Sequence, residues 1–372
     1  MNDYLLILGR DPDLSLLELV SYFSARNISF KIKDKSQAAV LIALPELDFQ
    51  KTITDLGGIV KIARVIQDLD NEVLYAGKSN KIKYAVSVYS DTDTSDLKEY
   101  LKGRLREEKL KITYKRSSRT EQFLMPNDVV RHRLLDEGFE LVVYGGIIAR
   151  TIAVFNPYEY EKRDKERPLQ RTLHMISIRL AKILINMVGA KEGDTILDPF
   201  SGYGVLLQEA MLMGINVIGV DNSRECADAT KKNLEWTAKQ FGTRVSFKAI
   251  HADSKQVSRF VRQADFAVTE PYMGPLLPKI PMKDEALKIV AQLNPLYRGV
   301  LRELSRVVKG NIAFIVPRFR LYSGERVKIP FERMLQEAGF RVVSIMPEIK
   351  MPLIYSATDS KIEREIWVFR KA

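Results

Sequence analysis

Helix and strand patterns alternate from residue 176 onward, and this order constrains the fold more than any other feature of the chain. Apolar strand patterns recur at residues 195–197, 216–220, 245–249 and 266–269, and helical stretches separate the first three. Such alternation is typical of parallel strands joined by crossover helices that cover both faces of a sheet. We therefore expect an α/β fold class with a doubly wound parallel sheet in the second half of the chain.

Shorter α and β patterns precede this region. They predict one small unit at residues 1–75 and a second at residues 76–155, which closes with two strand patterns around the turn Gly145-Gly146. Residues 156–175 are highly charged and contain bracketing prolines, which is typical of an interdomain linker. The predicted organisation is thus two small units, the linker, and a large α/β domain at residues 176–372.

A glycine-containing loop follows the first strand of the large domain. Gly202 and Gly204 lie between this strand and a helix, where glycine lets the backbone approach a ligand closely. A dinucleotide-binding loop would have a third glycine at position 207, and Leu207 stands there instead. Asp198 inside the loop suits a cationic aminoacyl group and would repel a pyrophosphate. The loop therefore favours S-adenosylmethionine over a nicotinamide cofactor.

Two further carboxylates follow the next strands. Asp221 is placed to accept hydrogen bonds from ribose hydroxyls, and Asp253 is placed to accept the adenine amino group. Each also has a purely structural alternative, because Asp221 could cap a helix and Asp253 could cap the turn before Ser254. It is the ordered set at successive strand ends that favours a cofactor site. The predicted cofactor-binding residues are Asp198, Pro199, Phe200, Gly202, Tyr203, Gly204, Asp221, Asn222 and Asp253.

The chain is strongly basic, with 58 Lys and Arg against 47 Asp and Glu and a net charge of +11. Dense surface charge is also typical of thermophilic proteins, but those surfaces tend to balance. The excess favours a polyanionic partner, RNA. Two basic runs, at residues 98–119 and 161–182, fit a surface that binds the RNA backbone, although charge runs are often only solvated faces. The candidate RNA-binding residues are Lys115, Arg116, Arg119, Arg163 and Arg167.

Composition also excludes several classes of site. The single cysteine, Cys226, excludes an internal disulfide, and three separated histidines show no metal-ligand spacing, so no metal is expected. No apolar stretch has the length that a bilayer span needs, and the N-terminal residues lack the basic start of a signal peptide. We expect a cytoplasmic protein that is a monomer or a weak homodimer, with no membrane contact.

The chain resembles the tRNA guanine-N2 methyltransferases of archaea and eukaryotes. The resemblance rests on residues 163–168, Leu180-Ala181, Asn186, the loop at residues 197–204 and Gly219-Val220-Asp221. It implies S-adenosylmethionine as the cofactor and a Rossmann-like, seven-stranded methyltransferase sheet. It also implies a ferredoxin-like region at residues 1–75 and a THUMP-like RNA-binding domain at residues 76–155.

The resemblance further implies a catalytic segment at Thr269, Glu270, Pro271 and Tyr272. In the family pattern, Asp-Pro-Pro-Tyr, a side-chain acceptor and a backbone carbonyl hold the target amine, and the aromatic ring stacks on the flipped base. Here Thr269 replaces the acceptor Asp and Glu270 replaces the first proline. Either residue is a candidate acceptor. Two alternatives to guanosine N2 in tRNA stay open: cytidine N4 in rRNA, and an RNA-binding paralogue without activity.

Overall fold

The computed structural model describes residues 1–75, 77, 79–170, 176–356 and 360–372. The chain forms two compact units. Unit 1 comprises Met1–Ser15 and Asn27–Arg163, and unit 2 comprises Leu16–Arg26 and Asp164–Ala372.

The first part of the chain contains eight strands and six helices among its described residues. The strands are β1 (Asn2–Leu8), β2 (Lys31–Lys35), β3 (Ala39–Leu44), β4 (Ile59–Val65), β5 (Lys81–Val88), β6 (Lys111–Tyr114), β7 (Gly138–Tyr144) and β8 (Ile147–Val154). The helices are α1 (Pro12–Ala25), α2 (Phe49–Asp55), α3 (Ser95–Glu107), α4 (Pro126–Arg131), α5 (Leu134–Glu137) and α6 (Pro157–Glu166).

The eight strands form one sheet in the order β2-β3-β1-β4-β8-β7-β5-β6. Strand β4 pairs with β8, so strands from residues 1–75 and from residues 76–155 share this sheet. A buried ion pair, Lys61 Nζ to Glu140 Oε1 at 2.5 Å, lies in its interior. Ser87 and Thr151 also donate hydrogen bonds to the Glu140 carboxylate. The division of this region at residue 75 stays a prediction.

Two predicted segments of this region have a different local structure. The sequence pattern at residues 126–135 predicts one helix. The structure has two short helices there, α4 and α5, because Arg133 between them adopts a left-handed backbone conformation with φ 54°. The segment expected to be an interdomain linker contains helix α6, followed by an irregular stretch up to residue 170. Residues 171–175 of that linker lie outside the described residues.

Helices and strands alternate in unit 2, as the sequence pattern predicts. The strands are β9 (Thr195–Asp198), β10 (Asn216–Asp221), β11 (Phe247–His251), β12 (Phe266–Thr269), β13 (Ile312–Arg320), β14 (Arg326–Lys328), β15 (Phe340–Val342), β16 (Leu353–Tyr355) and β17 (Ile362–Lys371). The helices are α7 (Ile178–Met187), α8 (Val205–Leu212), α9 (Arg224–Phe241), a 3-10 helix (Ser254–Arg259), α10 (Lys283–Val307) and α11 (Phe331–Glu337).

The main path of this second sheet has the strand order β11-β10-β9-β12-β13-β17-β15, with β14 and β16 added at β13 and β17. Strands β9 to β13 are parallel, whereas β17 inserts antiparallel beside β13. The predicted α/β fold is confirmed, and seven strands make up the main order of the sheet. Because neighbouring parallel strands end at the same edge, their carboxyl ends and the following loops come together there.

A single glycine in β10 lets helix α8 approach the sheet. A Cβ atom at Gly219 would lie 2.6 Å from Leu207 Cδ1 and 2.9 Å from Ser201 Cβ. Leu207 is fully buried, so neither group has room to move away. In a dinucleotide-binding loop, a glycine in the helix would allow helix and strand to pack closely. Here the helix has Leu207, and Gly219 in the strand allows the close packing instead.

The Gly219→Ala substitution should therefore destabilise unit 2 by about 1 to 3 kcal/mol, because it overfills a packed interface. Urea unfolding followed by the fluorescence of Trp236 and Trp367, both in unit 2, measures this change. Gly103→Ala is the matched control, since no atom lies within 4 Å of the added Cβ. Equal unfolding midpoints for the two variants would contradict the packing argument.

Candidate functional site

The carboxyl ends of three parallel strands bring the predicted carboxylates to one edge of the sheet. Asp198 is the last residue of β9, Asp221 ends β10, and Thr269 ends β12. Asp198 is in register with Gly219 on β10, and Asp221 is in register with His251 on β11. The separate sequence positions therefore form one line of strand ends, as the alternating pattern predicts.

The loop after β9 is held in place by backbone and side-chain hydrogen bonds. The amide of Gly202 donates to Asp221 Oδ2 at 2.9 Å, and the hydroxyl of Thr230 donates to the Gly202 carbonyl at 2.8 Å. Gly202 and Gly204 have φ of 53° and 81°, a conformation that favours glycine. A Cβ at Gly202 would meet no atom within 4 Å, so the backbone there borders open space.

Asn233 of helix α9 fixes the same loop from behind. Its side chain is buried and donates to the carbonyls of Tyr203 and Leu169 at 2.8 and 3.0 Å. Its Oδ1 accepts a hydrogen bond from the Leu169 amide at 3.0 Å. One amide side chain thus ties the glycine loop to the segment that precedes helix α7.

Asp198 is the most perturbed carboxyl group of the site. It is 4% exposed, and its Oδ1 accepts hydrogen bonds from Thr269 Oγ1 at 2.7 Å and from the Phe200 amide at 3.0 Å. Burial raises the pKa of Asp198 to about 7, and the carboxylates of Asp221 and Glu270 add to this effect. Removal from water thus outweighs the two hydrogen bonds that stabilise the charged form.

A cleft at this edge is lined both by predicted cofactor-binding residues and by a residue of the predicted catalytic segment. Asp198, Phe200, Gly202 and Tyr203 line it together with Glu270. Tyr203 donates its hydroxyl hydrogen to Glu225 in the first turn of α9, at 2.5 Å. The cleft therefore has the glycine loop on one side and the predicted catalytic segment on the other.

Other predicted cofactor residues lie around this edge without lining the cleft. The Pro199 carbonyl accepts from Ser254 Oγ at 2.6 Å, and the Asn222 carbonyl lies 3.1 Å from His251 Nε2. Asp253 caps the 3-10 helix by accepting from the Lys255 amide at 2.9 Å. The structural alternative for Asp253 is thus present, and its contact with adenine stays a prediction.

The catalytic segment divides into a buried part and an exposed part. Thr269 is fully buried, with its hydroxyl committed to Asp198, and Pro271 is also buried. Glu270 Oε1 forms an ion pair with Arg364 Nε at 2.5 Å. Tyr272, in contrast, is 56% exposed. Of the two candidate amine acceptors, only Glu270 lines the cleft.

Two residues of this region escaped the sequence analysis. Arg364 lies on β17, 94 residues beyond its partner Glu270. Tyr297 of α10 donates its hydroxyl to the Tyr272 carbonyl at 3.0 Å, and burial raises the pKa of Tyr297 well above its ordinary value. The one available signal was the charged triplet Glu363-Arg364-Glu365, which interrupts an otherwise apolar strand pattern.

The candidate RNA-binding residues differ in exposure. Lys115, Arg116 and Arg119 follow β6, and Arg116 stacks over the Tyr114 ring at 5.6 Å. Arg163 stacks over the Tyr160 ring. Arg167 is 4% exposed and forms an ion pair with Asp164. RNA contacts by these five residues stay predictions, and the burial of Arg167 makes it the least accessible of them.

Two structural features are absent from the part of the chain that the structure describes. No group of three or more His, Cys, Asp or Glu residues is arranged to hold a metal ion. No described helix combines the length and the apolar character that crossing a bilayer requires.

Comparison with known proteins identifies the chemistry of the domain. Residues 167–272 match the family described as RMKL-like, methyltransferase domain. This part of the chain is therefore a methyltransferase domain. The matched range contains the glycine loop, the carboxylates Asp198, Asp221 and Asp253, and the predicted catalytic segment through Tyr272.

Two relatives that bear the same name are similar to this chain. The tRNA (guanine(10)-N2)-dimethyltransferase of Methanothermobacter thermautotrophicus is 27% identical over 286 residues, which cover 74% of this chain and 78% of the relative. The protein of the same name from Methanocaldococcus jannaschii is 33% identical over 146 residues, covering 36% of this chain and 41% of the relative. The resemblance to the tRNA guanine-N2 methyltransferases is confirmed.

Solved structures share the fold of this chain along its length. TrmN from Thermus thermophilus aligns with a TM-score of 0.52 at 14% identity and covers 100% of both chains. A possible methylase from Clostridium difficile 630 aligns with a TM-score of 0.50 at 13% identity, covering 100% of this chain and 98% of that one. At such identities the likeness concerns the fold alone.

The raised pKa of Asp198 makes a prediction about stability. A carboxyl group whose pKa is higher in the folded state than in the unfolded state makes the folded protein less stable as the pH rises. For Asp198 this loss runs from its ordinary pKa of 3.8 to its folded-state pKa of about 7. Asp198→Asn keeps the oxygen that accepts from Thr269 and cannot ionise. The variant should therefore be more stable than the wild type at pH 8, by about 1 to 4 kcal/mol, and this difference should shrink toward pH 5.

Urea unfolding of the cofactor-free protein at pH 5 and pH 8 measures the effect. Asp253→Asn is the control, because it makes the same substitution at a carboxylate of this edge that is partly exposed, with 40% of its side chain accessible. A wild-type protein that is more stable than Asp198→Asn at pH 8 would contradict the assignment.

Proposed function

We propose that the chain transfers a methyl group from S-adenosylmethionine to N2 of a guanosine in tRNA. The observation that carries this proposal is the cleft in which the glycine loop, Asp198 and Glu270 meet. The names of the archaeal relatives support tRNA as the substrate and the guanine amine as the target.

The residues at the strand ends suit this cofactor. Burial raises the pKa of the Asp198 carboxyl group, and the α-ammonium group of the cofactor would stabilise its ionised form. Each Asp221 oxygen accepts one hydrogen bond from a loop amide and retains capacity for a ribose hydroxyl. The open space at Gly202 leaves room for a ligand against the backbone.

The protein's contribution to the reaction is mainly orientation. The bound sulfonium supplies a methyl group that is already activated, so no strong general base is needed. Glu270 would accept hydrogen bonds from the target amine and so direct its lone pair toward the methyl group. Tyr272 is exposed beside it and would stack on the flipped base.

Glu270 is the better candidate for the amine acceptor. The Thr269 hydroxyl is buried and donates to Asp198, whereas Glu270 lines the cleft. The ion pair with Arg364 fixes the direction of the Glu270 carboxylate. Guanine presents its amine next to the N1 hydrogen, and the two oxygens of a carboxylate match this pair of donors.

Cytidine N4 in rRNA is the second candidate, and Arg364 is the observation that favours it. Cytosine presents its amine next to N3, which is an acceptor and needs a donor. The guanidinium of Arg364 lies against Glu270 and could provide that donor while Glu270 holds the amine. Only the product of the reaction separates the two candidates.

Nucleoside analysis of the product tests the proposal. Purified protein is incubated with S-adenosylmethionine and either an unmodified tRNA transcript or deproteinised rRNA, and the digested RNA is analysed by mass spectrometry. We expect N2-methylated guanosine in tRNA, and none with Asp221→Ala because that variant should not bind the cofactor. Methylated cytidine in rRNA would replace the first candidate by the second. Cofactor binding without transfer to either RNA would identify an inactive paralogue.

Variants of the ion pair test the role of Glu270. Glu270→Ala should lower kcat by on the order of a hundredfold while cofactor affinity stays within a few-fold, because only the orientation of the amine is lost. Arg364→Gln should lower kcat by about tenfold, and Arg364→Lys should restore part of it.

The matched control for Arg364 is Arg318→Gln. Arg318 forms an ion pair with Glu363, next to Arg364 on β17, with a similar distance of 2.6 Å and similar burial. No hydrogen bond or ion pair joins Arg318 to residues 269–272 within the described part of the chain. Equal losses of kcat in the two Gln variants would indicate a general effect on the sheet and would contradict the orienting role of Arg364.

A further inference from the structure

Two segments extend unit 2 on the side of the catalytic edge. The first, residues 271–283, follows the catalytic Glu270. The second, residues 317–328, contains the end of β13, the turn at Gly324 and β14. Strand β13 is in register with the end of β12 at Phe314 and continues to Arg320, so this hairpin projects past the edge where Thr269 ends. We call the two segments together the edge extension.

Specific contacts hold the edge extension together. Lys361 Nζ donates to the carbonyls of Leu277 and Pro278 at 2.8 and 2.7 Å, and the Lys361 carbonyl accepts from the Arg320 amide at 3.1 Å. A Cβ at Gly274 would lie 3.8 Å from the ring of Phe319. The two segments therefore form one surface, continuous with the catalytic segment.

Large apolar side chains are concentrated on this surface. Five described side chains of this class in unit 2 are more than half exposed, and four of them lie on the edge extension. They are Tyr272 at 56%, Leu276 at 61%, Met282 at 65% and Tyr322 at 67%. The fifth, Phe260, precedes β12 and so lies toward the opposite edge of the sheet. Such clustering marks an interaction surface, whereas scattered apolar residues are ordinary.

The charge of the same surface indicates the kind of partner. Residues 271–283 and 317–328 contain six basic residues and one acidic residue. Glu363 pairs with Arg318 and Arg326, but Lys279 and Lys328 are exposed and form no ion pair with any described residue. Exposed aromatic rings interleaved with cations suit single-stranded or flipped nucleotides, whose bases stack while phosphates contact the lysines.

We propose that the edge extension binds the RNA on either side of the target nucleotide, with Tyr322 stacking on a base and Lys279 and Lys328 contacting phosphates. This inference rests on the proposed function for the identity of the RNA. The edge extension would be a second RNA-contacting surface, located in unit 2, in addition to the basic residues predicted in the first half of the chain.

Binding of a fluorescently labelled, unmodified tRNA transcript tests the surface. Lys279→Ala/Lys328→Ala should weaken binding by about tenfold at 0.15 M salt and lower the slope of log Kd against log salt by about 1 to 2. Tyr322→Ala should raise KM for the transcript by roughly five- to tenfold with kcat nearly unchanged, because a stacking contact is lost. Cofactor affinity, measured by calorimetry, should be unchanged in all variants.

Two control variants lie toward the opposite edge of the sheet in the same unit. Arg262→Ala/Lys309→Ala removes two exposed cations, and Phe260→Ala removes an exposed ring. Both should bind the transcript within twofold of the wild type. If the edge variants also bind the transcript within twofold of the wild type, the inference is overturned. This is the result expected if the surface binds a protein partner instead of RNA.

The outcomes separate this inference from the proposed function. If the wild type methylates the transcript and the edge variants match the controls, the RNA surface is wrong and the function stands. If the transcript binds through Lys279 and Lys328 without being methylated, the surface stands and the function is wrong. If the wild type does not bind the transcript at all, both are wrong.

Discussion

The hydrogen bond from Thr269 to Asp198 joins the two parts of the site. Both residues are buried, and each ends a strand of the parallel sheet. The family pattern has an Asp at the position of Thr269, which would place a second carboxylate against Asp198. A hydroxyl at this position donates to Asp198 instead. The negative charge of the catalytic segment lies one residue further on, at Glu270, where Arg364 compensates it.

The geometry of this edge depends on close packing behind it. Gly219 lets Leu207 pack against β10, and Asn233 holds the Tyr203 carbonyl, so the glycine loop is supported on both sides. Asp221 adds a bond to the Gly202 amide. A loop fixed in this way keeps its backbone open toward the cleft before a ligand arrives, which limits the cost of ordering it on binding.

Charge has a different role in different parts of this methyltransferase. Asp198 is buried and forms no ion pair with any described residue, which suits a cationic ligand. Glu270 and Arg364 form an ion pair, which fixes the direction of the Glu270 carboxylate and leaves no net charge on the pair. Lys279 and Lys328 are exposed on the edge extension, where they suit phosphates. The cleft itself contains two carboxylates, Asp198 and Glu270, although the chain as a whole has a net charge of +11.

The sequence by itself determined the parallel sheet and the positions of Asp198, Asp221 and Thr269, because these follow from the local order of strand, loop and helix. It did not determine the break of residues 126–135 at Arg133, nor helix α10, whose pattern contains Pro295. The partner of Glu270 and the edge extension were decided only by the tertiary structure. Both depend on the antiparallel insertion of β17 beside β13, which brings Arg364 and Lys361 to residues more than 80 positions earlier in the chain. Strand pairing over such separations is set by packing, which local sequence patterns do not encode.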